Sequence, residues 1–556
     1  GRFDPTQGQQ SCKAPLLMSR PFSRIILPLI AIPLAAAASG HPAFALFRGV
    51  PLRAAGAAAS AGLQAARPFS SRYLTATTLR MSVFPNLFGM RGGGSSDASG
   101  STLAIFPSAF HDAAPSWESL DKMVKETPDG QRLRAEQQDR EAGKGPAHCK
   151  NKLRLFGKTE KDVRVVLYRD HAGWCPYCQK VWLLLEEKQM PYRIEHINMR
   201  SYGEKPDWFM KKNPSGMLPV CEVDGQMVSD SIRIMQVLDG LDDTVPMLPR
   251  DQEGLARANK FMQIERELFS AWCSYVFQPR TFGRKGFEEV LTKVDKALKE
   301  TAGPWFLGGT HPTIVDLQYI SHVERMAPSV LYWKGLQMRG GEAQTKYPAL
   351  HVWLAAFEDR QTYMATKSDY YTHITDIPPQ YGAGQEVAEA DPYMASLDGR
   401  KGWTLPLPPL TSDSMQLVLD KPLTNIPDET ARIEAAMCLI GNHKNLARYC
   451  ARSAGPDVGK WRQKGGGGKS ALADPGAKSN EAVVPDMDAC LRHVAHALLA
   501  GPEVAAKSVV SPGVDSRVQQ DCLKYLCQRI SVPRDMTYPA ARQLRAHLNW
   551  AAAIIY

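Results

Sequence analysis

The apolar positions of this chain fall into two periods, and each predicts its own kind of element. Val163-Arg164-Val165-Val166-Leu167-Tyr168 is an almost unbroken apolar run and predicts a buried strand. After a short loop, Pro176 to Lys188 carries Val181, Leu184 and Leu185 on one face and predicts a helix. Pro176 suits its first turn, where no backbone donor is needed. Tyr192 to Asn198 predicts a second strand, and Lys205 to Lys212 a short helix ended by Asn213-Pro214. Leu218 to Val223 and Gln226 to Val228 predict a hairpin around Asp224-Gly225, a strong turn signal, and Asp230 to Leu238 a closing helix.

Strand, helix, strand, helix, strand, strand, helix is the order of a thioredoxin-like α/β domain. From Asp251 to about Tyr371 the period becomes helical, with Phe261, Ile264, Leu268 and Trp272 on one face. Thr313-Ile314-Val315-Asp316 before an apolar run predicts a helix start with a capping box, Asp standing in for Glu. Ile377 to Pro427 is rich in Pro and Gly and predicts a linker or wrapping segment. A further helical region is expected beyond it. Ile433, Met437 and Ile440 share a face, as do Leu491, Val494 and Leu498, then Val518, Cys522 and Tyr525. A flexible stretch, Ala454 to Ala482, splits this region, and a last helix starts at Pro539. Trp117 to Ala142 is highly charged and suits a helix ahead of the first domain. Met81 to Ser101 is Gly/Ser-rich and reads as disordered.

Charge changes the picture at one end only. The formal net charge of the 556 residues is +10, but Met18 to Arg80 holds seven arginines and no Asp, Glu or Lys. The remainder is only mildly basic, which argues against a nucleic-acid partner. Within the acid-free segment, Arg20 and Arg24 precede Ile25 to Ala38, an apolar run interrupted by Pro28 and Pro33. It is shorter than the roughly 20 residues that span a bilayer. The run fits the core of a signal peptide, followed by small residues at Ala43-Phe44-Ala45 and then by transit-peptide composition. This predicts a two-part leader like that of algae with complex plastids. Phe44 and Phe47 are both candidates for the first cleavage, and Thr78 to Ser82 for the second. A secreted or mitochondrial destination is the alternative. The eleven cysteines are scattered at irregular spacing, which excludes a disulfide scaffold and suits a reducing compartment.

The expected organisation is a leader over 1–80, a linker with a helix over 81–150 and the thioredoxin-like domain over 151–245. An all-helical domain over 246–375, a linker over 376–427 and a helical extension over 428–556 complete it. No transmembrane segment is expected in the mature chain.

Chemistry concentrates at Cys175-Pro176-Tyr177-Cys178. A thiolate is the nucleophile, and the amino end of a helix, where unpaired N–H groups point outward, favours the anion. Cys175 falls after a strand and just before a helix. Cys178 lies one turn later and suits the resolving thiol that attacks a mixed disulfide at Cys175. Half a zinc site is the other use of this spacing, but no second pair or His/Cys cluster in the sequence completes one, so no metal is expected. Gly465-Gly466-Gly467-Gly468-Lys469-Ser470 has the composition of a phosphate-binding loop. It lacks the first glycine, at Gln463, and a preceding strand, and reads as a linker.

From Val163 to Tyr371 the sequence resembles glutathione transferases of the cysteine type: Omega, dehydroascorbate reductase and Lambda. Lys205-Pro206-Asp207-Trp208-Phe209-Met210-Lys211-Lys212-Asn213-Pro214 is similar to the Omega class. The resemblance implies a thioredoxin-like domain followed by an all-α glutathione transferase carboxy-terminal domain, here with an extra helical region. It implies a cis Pro219 that turns the backbone of Leu218 towards the cysteinyl part of glutathione. Asp230 and Ser231 would hold the γ-glutamyl end, and Lys205 the glycine end. Two departures are Cys178, a second cysteine most of these classes lack, and Asp230 in place of the commoner Glu. The carboxy-terminal helices look like an extension seen on some plastid transferase-like proteins, with docking to a protein partner as the default role. The expected function is a plastid-stromal, glutathione-dependent thiol transferase or reductase acting on a small oxidised or electrophilic substrate, with glutathione as cosubstrate. The alternatives are a non-catalytic scaffold of the same fold and glutathione conjugation of electrophiles. Trp272 and Tyr275 are candidates for a second-substrate pocket, with core packing as the alternative.

Overall fold

Before the sheet, the chain folds into α1 (Ser108–Ala113), α2 (Trp117–Lys125) and α3 (Pro128–Glu141). The computed structural model describes residues 103–278, 283–408, 427–460 and 472–555. The leader with Phe44 and Phe47, the stretch Met81 to Ser101 and the run Gly465 to Ser470 lie outside the described residues. The single charged helix expected from Trp117 to Ala142 is two. Thr127 Oγ1 accepts the Gly130 N–H at 3.0 Å and Pro128 opens α3, so the chain turns between them.

The sheet contains β1 (Leu153–Arg154), β2 (Val165–Asp170), β3 (Tyr192–Ile197), β4 (Val220–Val223) and β5 (Gln226–Ser229), in the order β1-β3-β2-β4-β5. β2 and β3 are parallel, and the other pairs are antiparallel. Helix α4 (Pro176–Glu187) makes the right-length crossover between the parallel strands, α5 (Asp207–Lys212) follows β3, and α6 (Ser231–Asp239) closes the unit. Asp224 (φ 48°) and Gly225 (φ 81°) both turn left-handed in the β4–β5 hairpin. β2 starts two residues later than the apolar run and ends on two charged residues. Asp162 caps the turn before it through the Thr159 N–H at 2.8 Å. Arg169 is tolerated in the buried strand because it donates to the Asp170 and Cys149 carbonyls and lies 4.2 Å over the Trp182 ring. The two-residue β1 carries too little pattern to be read from sequence.

Beyond the sheet come α7 (Gln252–Phe277), α8 (Arg284–Leu298), α9 (Ile314–Lys334), α10 (Gly341–Lys346), α11 (Pro348–Glu358), α12 (Gln361–Thr366) and α13 (Tyr370–Asp376). The Thr313–Asp316 capping box forms, with Asp316 accepting the Thr313 N–H at 2.8 Å. Asp316 also accepts the Trp353 indole at 3.0 Å, which ties α11 to the start of α9. Every residue of α9 is buried, and α4 packs against it. The expected linker from 376 is ordered over its described part. α14 (Pro378–Tyr381) sets Tyr381 against Phe269, Trp272 and Phe277 of α7, and α15 (Asp391–Leu397) packs on α9, with Ile377 and Ala390 fully buried and Val387 donating to the Trp333 carbonyl at 3.2 Å. Proline and glycine here shape the wrap rather than loosen it.

The extension comprises α16 (Asp428–Cys450), α17 (Val484–Ala500), α18 (Pro502–Ala506), α19 (Arg517–Cys527) and α20 (Tyr538–Ile554). It is not a separate region. Arg545 of α20 forms a buried ion pair with Asp369 at 2.7 Å, and Asp486 of α17 accepts the His111 ring at 2.9 Å. Ala540, Ala541, Ala546 and Ala551 let α16 and α19 approach α20 closely. The stretch expected to be flexible is anchored where it is described: Leu472 and Ala477 are buried, and Asn480 donates to the Ala451 carbonyl at 3.1 Å. Among the described residues no helix is long and apolar enough to cross a membrane.

Candidate active site

β2 delivers Asp170 to the mouth of a four-residue loop, and the loop delivers Cys175 to the N-cap position of α4. The Asp170 carboxylate is buried. Its Oδ2 accepts the N–H groups of Trp174 at 2.7 Å and Cys175 at 3.1 Å. From the other side the Arg325 guanidinium of α9 donates to the Trp174 carbonyl and to the Gln179 side chain. The peptide before the cysteine is therefore gripped at both ends. Gly173 makes the turn possible with φ +66°. A methyl there would lie 2.9 Å from Cys149 Sγ and 3.4 Å from Pro533 of the extension.

Cys175 is half-buried, whereas Cys178 is 1% exposed. Burial pushes the Cys178 thiol well above its ordinary range, and its hydrogen bond with Cys175 adds to that. A carboxylate oxygen of Asp170 and the two sulfurs lie within 4.8 Å of one another. Asp170 Oδ1 is buried without a hydrogen-bond partner among the described residues.

Two cations stand near the pair. Lys205 is half-buried, and burial lowers its ammonium while both thiols pull it up, so it is not a solvated surface lysine. Lys180 is buried and donates to Gln318 at 2.6 Å. Burial brings it down to about 8, against the pull of Glu265, Asp230 and both cysteines. Behind Arg325, Glu324 accepts Gln179 at 2.8 Å and meets the His373 ring at 3.1 Å. Burial opposes its ionisation, but Arg325 and His373 outweigh that and hold it at about 2.

The remaining expected residues sit on the next strand and helix. The Leu218–Pro219 bond is cis, immediately before β4. Asp230 has φ +69° and caps α6, its Oδ1 accepting the Ile232 and Arg233 N–H groups at 3.0 Å each. Those two donors are thus taken by Asp230. Ser231 is buried in the first turn. Trp272 and Tyr275 are core residues: the Trp272 indole donates to Ser329 at 2.8 Å and Tyr275 stacks on Phe287. Sequence reasoning missed Asp170, Lys180 and Arg325. An acid ending a strand five residues before a cysteine was a usable signal for the first. Nothing in the sequence places Arg325 at the loop.

A thioredoxin-like sheet with a half-exposed cysteine capping the crossover helix, joined to an all-helical domain, defines the class. Residues 174–241 match the glutathione S-transferase N-terminal domain and residues 256–356 the C-terminal domain of the same family. Both domain models of the glutathione S-transferase family are thus matched, in order, within residues 174–356. It is 29% identical to glutathione S-transferase DHAR2 of Arabidopsis thaliana over 30% of this chain and 73% of that protein. It is 27% identical to glutathione S-transferase omega-1 of Mus musculus, over 38% of this chain and 84% of that protein. Among solved structures it is similar to Chlamydomonas reinhardtii dehydroascorbate reductase, with 21% identity, TM-score 0.31, and coverage of 37% of this chain and 93% of that one. At the level of the family, glutathione-dependent thiol transferase or reductase chemistry is supported. The matches to the two family models leave the helices before residue 174 and after residue 356 outside them.

Proposed function

We propose that this chain is a plastid glutathione-dependent thiol transferase or reductase whose nucleophile is Cys175 and whose resolving thiol is Cys178. The observation that carries the reading is the pair itself: a half-exposed sulfur at a helix amino end, with a buried thiol one turn behind it. The helix end favours negative charge on the Cys175 sulfur. That thiolate attacks a glutathione mixed disulfide, the Cys175–glutathione disulfide forms, and the other thiolate leaves and takes up a proton. Cys178 then attacks the Cys175 sulfur, releasing glutathione. Asp170, a carboxylate oxygen of which lies within 4.8 Å of both sulfurs, would take up the Cys178 proton. Two further glutathione molecules reduce the internal disulfide and leave as glutathione disulfide. In this mechanism Lys205 takes the glycine end of the tripeptide and the backbone of Leu218 before cis-Pro219 the cysteinyl part. Ser231 and the second oxygen of Asp230 take the γ-glutamyl end. The acid-free stretch from Met18 to Arg80 supports import into a plastid. A protein partner would meet the outer faces of α16 to α20, because the apolar faces are occupied internally.

Deglutathionylation, dehydroascorbate reduction and aryl-halide conjugation, assayed side by side, test the reading. Cys175→Ser is expected to remove the first two, and Cys178→Ser to slow release while leaving Cys175 alkylation intact. Fast conjugation that survives Cys175→Ser would overturn the thiol mechanism. Inactivity of the wild type in all three assays would favour the scaffold alternative.

A further inference from the structure

The cysteine pair by itself offers a metal two ligands, and the sequence supplies no other pair to complete a site. The fold supplies a third ligand from the strand end. A carboxylate oxygen of Asp170 and the sulfurs of Cys175 and Cys178 lie within 4.8 Å of one another. Ligands bound at about 2.0–2.3 Å in a tetrahedron are less than 4 Å apart, so modest side-chain movement closes such a set on one ion. Asp170 is 1% exposed and its Oδ1 has no hydrogen-bond partner among the described residues. Oδ2 is fixed by the Trp174 and Cys175 N–H groups, which holds the carboxylate as a second-shell contact holds a metal ligand. Cys175 is half-buried and leaves an approach from solvent.

We propose that Asp170, Cys175 and Cys178 form a three-ligand site for zinc(II), with the fourth position open to water or a thiolate, and that zinc silences the nucleophile reversibly. Two thiolates and one carboxylate suit a borderline-soft divalent ion. Magnesium and calcium require oxygen, and copper(I) has no use for the carboxylate. Binding takes both sulfurs as thiolates and displaces to solvent whatever protons they carry, with no change of oxidation state, so affinity rises with pH. It concerns the regulation of the pair read above as catalytic, yet its readout is metal binding rather than turnover.

The full chain, reduced and stripped of metal, is titrated with cobalt(II) and then with zinc(II) against a chromophoric chelator. One equivalent of cobalt with sulfur-to-metal charge-transfer absorption is expected, displaced by zinc. Zinc should block iodoacetamide at Cys175, and a chelator should restore the reaction. Cys178→Ser and Asp170→Asn are each expected to weaken zinc by more than about tenfold, beyond the lower end of what outer-sphere changes cost. Asn keeps an acceptor for both loop N–H groups. If Asp170→Asn fails to fold, Cys178→Ser and the protection of Cys175 decide. Undiminished zinc binding by Cys175→Ser/Cys178→Ser, or an alkylation rate indifferent to zinc, would overturn the proposal. Zinc binding as expected in a chain that is inactive in chelator would sink the proposed function and leave the metal site standing.

Discussion

The loop from Asp170 to Cys175 and the helices of the extension use buried carboxylates in different ways. In the loop, a buried carboxylate keeps one oxygen unmatched beside two thiols. In the extension, buried charges are spent on holding helices. Arg545 reaches Asp369 at 2.7 Å and the Ile530 carbonyl at 2.8 Å, with Tyr371 and Trp403 against its guanidinium. Asp486 receives Phe106, His111 and Gln519. An unmatched buried carboxylate oxygen costs free energy, whereas the matched ones fix geometry. The two regions also touch. Pro533 lies against Gly173, and the Ser368 hydroxyl, between α12 and α13, donates to the Val532 carbonyl. The extension thus forms part of the wall behind the reactive loop.

Breaking the strongest of the matched pairs is the severest test of that contrast. Arg545→Ala leaves Asp369 buried without its cation and is expected to cost about 3–5 kcal/mol. Urea unfolding of the full chain reads it. A cost below about 1 kcal/mol would mean that the extension is not integral to the fold. Acid should come next. Burial lowers His493 and His547 of the extension to about 4, against 6.5. A depressed folded-state value means that the unfolded chain binds the proton first. The stability these neutral rings preserve is present above pH 6.5 and is lost as pH falls towards 4, by about 2–3 kcal/mol for each. Stability measured from pH 7 to pH 4 should flatten in His547→Gln, and an unchanged slope would remove that histidine from the account.

Gly173→Ala carries the smallest effect on stability and the sharpest information. The left-handed backbone and the contact with Cys149 Sγ predict a loss of about 1–3 kcal/mol. Because the same loop positions Cys175, its alkylation rate should change as well. A stability loss with an unaltered alkylation rate would separate the loop from the wall behind it.

Much of this was written locally. The period-two and period-3.6 apolar runs, the Asp224-Gly225 turn and the Thr313–Asp316 box each specify an element through contacts within a few residues, and these elements formed. The position of Cys175 ahead of a helix was legible for the same reason. For Ile377 to Pro427 the wrapping alternative is the one that formed, and the stretch expected to be flexible is anchored where it is described, because proline, glycine and charge report local preference only. Burial against α9 or α17 overrides it once a partner surface exists.

What the sequence determined by itself was therefore the order of the patterned elements and the place of Cys175 and Cys178 at the start of a helix, since both depend on neighbours along the chain. Tertiary structure alone decided that Asp170 meets two sulfurs, that Arg325 holds the Trp174 carbonyl across more than a hundred residues, and that Asp230 rather than Ser231 caps its helix. It also decided that the extension backs the reactive loop through Pro533. Side chains far apart in sequence come within hydrogen-bonding reach only when packing brings their elements together, and no local pattern encodes which of them will.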